Sequence, residues 1–235
     1  MNTASGRQAT RLRSVLVAVA LSSGALGSGA GAQFFTPSFQ NYQTFAQRSV
    51  GYVAATVRPD FTSAAVQKAL RPSATPVSYK YALSKTNFVF KGSPTQQQNC
   101  AAMVQKPVDR SQMAALCLKI FNAAQTAPEF HRNNLASGLA LLIGASVQVT
   151  RNTELTEGDL AALERCLNDV LVDAGVMRGK PAELQAMYET AVMTGGLIAG
   201  IAQSAAENGN DDQINLAKVM ATTVLKGFGL NGASE

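Results

Sequence analysis

The chain has 235 residues, 46% hydrophobic and 15% charged, with one histidine, three cysteines and a formal net charge of +5. A single histidine excludes a metal site built from several imidazoles. The positive charges are spread rather than clustered, which argues against nucleic acid as a partner.

Arg7, Arg11 and Arg13 precede an apolar run from Ser14 to Leu21, and small residues then lead to Ala30-Gly31-Ala32. This layout predicts a signal peptide over 1–32, cleaved before Gln33, and therefore a periplasmic or secreted protein. The apolar run is too short to span a bilayer. No cysteine follows the cleavage site and no Arg-Arg pair precedes it, which speaks against a lipoprotein anchor and a twin-arginine route. Residues 33–132 hold eleven Lys/Arg against three Asp/Glu, whereas 133–235 hold six against twelve. A half at +8 thus joins a half at −6. Mutual satisfaction of the two halves is the simpler reading, and an anionic partner on the basic half is the alternative.

Residues 33–60 read as an aromatic arm or linker, and 61–235 as a helical domain. Phe34, Phe35, Phe39, Tyr42 and Phe45 crowd the uncharged arm. They either pack on the arm's own domain or form a docking segment for a partner. A short helical segment at 63–70 lies among Pro59, Pro72 and Pro76. The alternation in 77–83 suggests a strand, and 87–90 is its candidate partner in a short hairpin near 77–90. Ser93-Pro94 has the chemistry of a helix start. Asp109 with Gln112 reads as a capping box for the next helix, whose face carries Met113, Leu116, Cys117, Ile120, Phe121 and Ala124.

Two stretches, Leu135 to Val149 and Thr190 to Ala206, are apolar around most of their circumference. Each is shorter than a spanning helix and is interrupted by polar residues, so they read as central helices of a packed bundle. Gly138, Gly144, Gly195, Gly196 and Gly200 would permit close backbone approach between them. Interior glycine costs close to ~1 kcal/mol of helix propensity, so five of them need a packing reason. Between the two, Thr156 caps a helix with Asp159 in its first turn and a stripe of Leu160, Leu163, Leu167, Val170 and Leu171, ending near Gly175. Pro181 opens the second long helix, and Asn208-Gly209-Asn210 closes it. A last helix over 211–226 buries Ile214, Ala217, Met220 and Val224. The predicted architecture is mainly α, with two central apolar helices wrapped by about four amphipathic ones.

Chemical motifs are scarce. There is no G-x-S-x-G, no G-x-G-x-x-G and no Walker-type phosphate loop. His131, in PEFHRNN, reads as a loop or capping histidine. Asp211 and Asp212 read as cap and first-turn acids rather than calcium ligands. No cofactor and no catalytic set is predicted, and no pair of carboxylates is selected by the sequence. Three cysteines outside the cytoplasm suggest one disulfide. Cys100 lies in a polar stretch, and a helical hairpin around Pro107 would bring it near Cys117. Cys100–Cys117 is therefore narrowly favoured over Cys100–Cys166.

From Arg71 onward the chain resembles an uncharacterised family of bacterial proteins, a mainly helical domain of unknown function found behind signal peptides. The likeness rests on Arg71–Ser73, the Asn133-Asn134 pair opening a long apolar helix, and a polar break near Arg151. It continues through an L-x-A-x-E-type helix, QAMYETAVMTGGLIAGIAQSA, and a final helix ending near GFGL. The resemblance implies a helical extracytoplasmic domain and transfers no catalytic residue. The functional expectation is a secreted or periplasmic binding or interaction module, whose partner is an unknown protein or envelope component. Homo-oligomerisation stays open. The alternatives are a hydrolase using carboxylates, or a membrane-active protein whose two apolar helices emerge as a hairpin.

Overall fold

The computed structural model describes residues 78–104 and 107–230, with Gln47 and Gly51 as isolated helical positions. The expected signal peptide, the arm residues Phe34, Phe35, Phe39, Tyr42 and Phe45, the expected helical segment at 63–70 and the expected boundary at 60/61 lie outside the described residues. The described chain folds into six α-helices: α1 (Gln97–Ala101), α2 (Pro107–Thr126), α3 (Leu135–Arg151), α4 (Glu157–Asp173), α5 (Pro181–Asn208) and α6 (Asp211–Gly227).

Helices α3 and α5 are the central pair, as their all-round apolarity predicts. Every residue of α3 from Leu135 to Val147 is buried, and α5 is buried almost continuously from Met187 to Ile201. The two helices pack directly against each other; α4 and α6 cover α3, and α2 and α6 cover α5. No described helix is long and apolar enough to cross a membrane.

The two helices approach closely at Gly195. A Cβ placed there would lie 2.8 Å from Leu142 Cα and 2.9 Å from Leu142 N, so backbone meets backbone. Gly138 and Gly144 make room for side chains instead. A Cβ on Gly138 would meet Tyr188 at 2.8 Å, and one on Gly144 would meet Leu160 at 2.6 Å. These glycines therefore have the packing reason that their propensity cost demands.

Helix ends follow local chemistry. Thr156 and Asp159 form a reciprocal capping box on α4, with Thr156 N donating to Asp159 Oδ2 at 2.8 Å and Asp159 N donating to Thr156 Oγ1 at 3.1 Å. Gly175 and Gly209 adopt positive φ just after α4 and α5, where a side chain would be strained. Asn210 Oδ1 accepts from Gln213 N to start α6, and Asp211 and Asp212 occupy its first turn.

Four expectations need correction. Helix α1 begins at Gln97 rather than at Ser93-Pro94, and the two residues ahead of it, Thr95 and Gln96, donate their backbone N–H groups to Glu189 of α5 instead. Asp109 does not cap α2 but lies inside its first turn, because Pro107 already occupies a helical position. Along α6, Leu216 is buried and Ile214 only half-buried.

The fourth correction is the largest: residues 78–90 form no hairpin. The alternation was physically meaningful, since Tyr79, Tyr81 and Leu83 are half-buried while Ser78, Lys80 and Ala82 are exposed. Its backbone partners, however, are helix side chains rather than a second strand. Asp169 on α4 accepts from Lys80 N at 2.8 Å and Tyr81 N at 3.0 Å. Leu83–Thr86 forms a 3-10 turn, and Asn87 makes only an isolated bridge to Asn134. Phe88 N then donates to Asn133 O at 3.0 Å. The segment is a strap laid across the helices. At its start Lys80 Nζ donates to Asp173 Oδ1 at 2.7 Å and Tyr81 OH to the same oxygen at 2.8 Å. These bonds hold the Asp173 carboxyl below the usual carboxylate range, Lys80 contributing most.

Strap and bundle share an aromatic cluster around Tyr188. Phe88 and Phe121 meet its ring edge-to-face at 5.2 and 5.9 Å, and Phe130 packs at 6.2 Å. Such pairs contribute about 0.5–1.5 kcal/mol each beyond the area they bury. The fully buried phenol accepts hydrogen bonds from Gln125 Nε2 at 2.6 Å and Asn133 N at 3.2 Å. Loss of hydration pushes its pKa up to about 12.

Candidate functional site

The start of α3 carries the polar centre of the fold. Asn133 takes a positive φ of 54°, a conformation asparagine tolerates better than most side chains, and this turns the chain into the helix. Asn134 then caps α3, its Oδ1 accepting from Ser137 N at 3.0 Å. Its Nδ2 donates to Leu83 O at 2.9 Å and Asn87 Oδ1 at 2.8 Å, so one buried amide fixes both helix and strap. Thr86 Oγ1 and Asn168 Oδ1 of α4 complete the network, 2.9 Å apart.

One turn into α3, Ser137 Oγ donates to Glu164 Oε1 on α4. The same carboxyl receives His131 Nδ1, at 2.9 Å to Oε1 and 3.1 Å to Oε2. Facing a carboxyl acceptor, Nδ1 must carry the proton, which leaves Nε2 pointing away from this pair. The Glu164 side chain is only 12% exposed, whereas that of His131 is 57% exposed. A solvent-facing imidazole therefore covers a largely buried acid.

These three residues line a half-open cavity of about 350 Å³ between the α2–α3 connection, the start of α3 and the first half of α4. Most of its wall is apolar, with Phe130, Ala140, Leu141 and Leu160 as the main surfaces. Glu129 and Glu157 are the other acidic residues that line it. The size matches the lower range of small-molecule sites.

A serine, an acid and a histidine suggest nucleophilic catalysis only if the histidine lies between the other two, taking the serine proton and being oriented by the acid. Here the acid is central. Glu164 accepts from both Ser137 and His131, and Ser137 donates to a carboxyl rather than to an imidazole. The order suits holding a buried acid in place, not activating a serine.

Residues 10–232 match the sequence model of a family of unknown function, DUF6683. The chain belongs to that family. No curated protein and no solved structure matches it. The DUF6683 match spans both the helical bundle and the region before it.

Within this DUF6683 protein, Cys100 and Cys117 form the favoured disulfide, joining α1 to α2. Cys166 is buried on α4, outside that bond. His131 does lie in the connection between two helices, yet it is paired with Glu164 rather than idle. Ser137 and Glu164 were missed, because they meet only when α3 and α4 pack together. Glu189 was missed as well. It lies fully buried on α5, hydrogen-bonded to the backbone of Thr95 and Gln96, and the signal was present: a lone acid inside an apolar helix, four residues after Gln185. Among the described residues no three His, Cys, Asp or Glu side chains converge as a metal cage.

Proposed function

We propose that this protein is a secreted or periplasmic binding module whose ligand seat is the cavity beside His131, Ser137 and Glu164. The observation that carries the reading is the cavity itself: about 350 Å³, apolar-walled, with a small convergent polar group at one side. The disulfide supports a location outside a reducing cytoplasm, as does the basic and apolar N-terminus. A hydrolase receives less support, since the acid stands where a catalytic base belongs. A membrane-active hairpin is also less supported. The apolar helices α3 and α5 are separated in sequence by amphipathic α4, which would have to move with them.

The test is a thermal-shift screen of small molecules against the full chain and against Ala161→Arg. Ala161 is an exposed residue of α4 at the cavity's edge, so arginine there obstructs the seat without burdening the core. A seated ligand at a hundred times its Kd stabilises by ~2.7 kcal/mol, which the wild-type chain should show and the variant should lose. A hit list identical for both proteins would dismiss the cavity as the seat.

A further inference from the structure

Resting on that binding reading, we infer that the cavity selects a ligand in which a protonated nitrogen, amine or guanidinium, is joined to a compact apolar body. Three carboxyl groups line the cavity, from Glu129, Glu157 and Glu164, while neither lysine nor arginine does. The one basic ring among the lining residues, His131, already directs its Nδ1 at Glu164. That leaves the cavity electrostatically one-sided. An anion would meet like charge in a partly desolvated place, and a neutral molecule would gain only the apolar wall.

Glu164 is the residue that makes this specific. Ser137 Oγ and His131 Nδ1 converge on Oε1, whereas Oε2 has the longer 3.1 Å contact to His131. A carboxylate offers about four lone-pair positions, so Glu164 retains acceptor capacity for a charged N–H donor. Its position is already fixed by two neighbours, so a ligand does not have to order it. Phe130, Leu141 and Leu160 face the space beside this acid, and the volume suits one ring with a short chain.

The test is an NMR titration of the full chain with three probes that share one apolar body: phenethylamine, 2-phenylethanol and phenylacetate. Phenethylamine should bind at least about tenfold more tightly than 2-phenylethanol at low salt, with phenylacetate weakest. Added salt should narrow the difference. Glu164→Gln should remove most of the amine's preference, and Ala161→Arg, at an exposed position, should remove binding of all probes. Equal or tighter binding of the alcohol or the carboxylate overturns the inference while leaving a binding cavity in place. No shift at Phe130, Ala140 or Ala161 with any probe overturns the binding reading itself. A capped phenylalanyl-lysine amide distinguishes the sources. If it binds like phenethylamine, the ligand is a peptide side chain; if it fails while the amine binds, the ligand is a free amine.

Discussion

Glu189 Oε2 accepts the backbone N–H of Thr95 at 2.7 Å across a separation of 94 residues. The same oxygen accepts from Gln96 N at 2.9 Å, and Gln185 Nε2 braces the other carboxyl oxygen at 2.8 Å. Helix α1 has no side-chain cap, and Glu189 instead anchors the two residues that lead into it onto α5. Ser93-Pro94 thus leads into an anchored approach to the helix rather than into its first turn.

Glu189→Ala should therefore cost about 1–3 kcal/mol, since it removes the acceptor of two part-buried backbone N–H groups and leaves the buried Gln185 Nε2 without its partner. Glu189→Gln should cost less, because an amide oxygen still accepts. Hydrogen exchange offers the direct check. The amides of Thr95 and Gln96 should exchange faster in the alanine variant, and unchanged protection there would refute the anchoring role.

Adjacent positions on α5 should respond with opposite signs. Gly195→Ala forces a Cβ against the Leu142 backbone, which cannot yield as a flexible side chain would, and should destabilise by about 1–3 kcal/mol. Thr194 Oγ1 is buried without a hydrogen-bond partner among the described residues. Thr194→Val removes that hydroxyl at nearly constant shape and should stabilise by about 1 kcal/mol. Chemical denaturation of both variants decides the matter, and a stabilising alanine would dissolve the close-packed pair.

The buried phenol predicts an alkaline weakness. Tyr188 titrates at about 12 in the folded protein, above the ordinary value of 10.0, because burial disfavours the phenolate. Between those values the unfolded chain has lost the proton and the folded chain keeps it. Stability from this group is therefore complete below pH 10 and declines as pH rises towards 12, by roughly 2–3 kcal/mol. Tyr188→Phe also loses the bonds to Gln125 and Asn133, which lowers stability at every pH. Its stability should nevertheless fall less steeply above pH 10 than that of the wild type. Parallel curves over that range would contradict the assignment.

The Cys100–Cys117 bond closes a loop of 17 residues. Chain-entropy reasoning gives such a loop about 3 kcal/mol of stabilisation, so a reductant should lower the melting temperature distinctly. Mass spectrometry of unreduced tryptic digests should recover these two cysteines in one linked species. A linkage through Cys166 would be decisive against it.

The sequence made the bundle readable where local chemistry and periodicity agree. All-round apolarity placed α3 and α5 at the centre, Thr156 with Asp159 marked the start of α4, and Gly209 with Asn210 marked the junction of α5 and α6. It misled where the partner is remote. The alternation of 77–83 correctly signals an extended, one-sided segment, but nothing local reveals that Asp169 rather than another strand takes its N–H groups. The cavity was illegible for the same reason. His131 and Glu164 are 33 residues apart, and no spacing rule joins a connection to a helix face.

The strap has a kinetic consequence. Its side-chain anchors reach Asn134, Asp169 and Asp173 over separations of 47 to 93 residues, whereas α3 with α4, and α5 with α6, are neighbours in sequence. Closing such long loops before their acceptors exist yields no contact to offset the lost entropy. The helices should thus assemble first and the strap dock last, outside the rate-limiting nucleus. Loosening an anchor such as Asp169 should then quicken unfolding and leave the folding rate nearly untouched, which gives the strap the role of a latch on the folded state's lifetime.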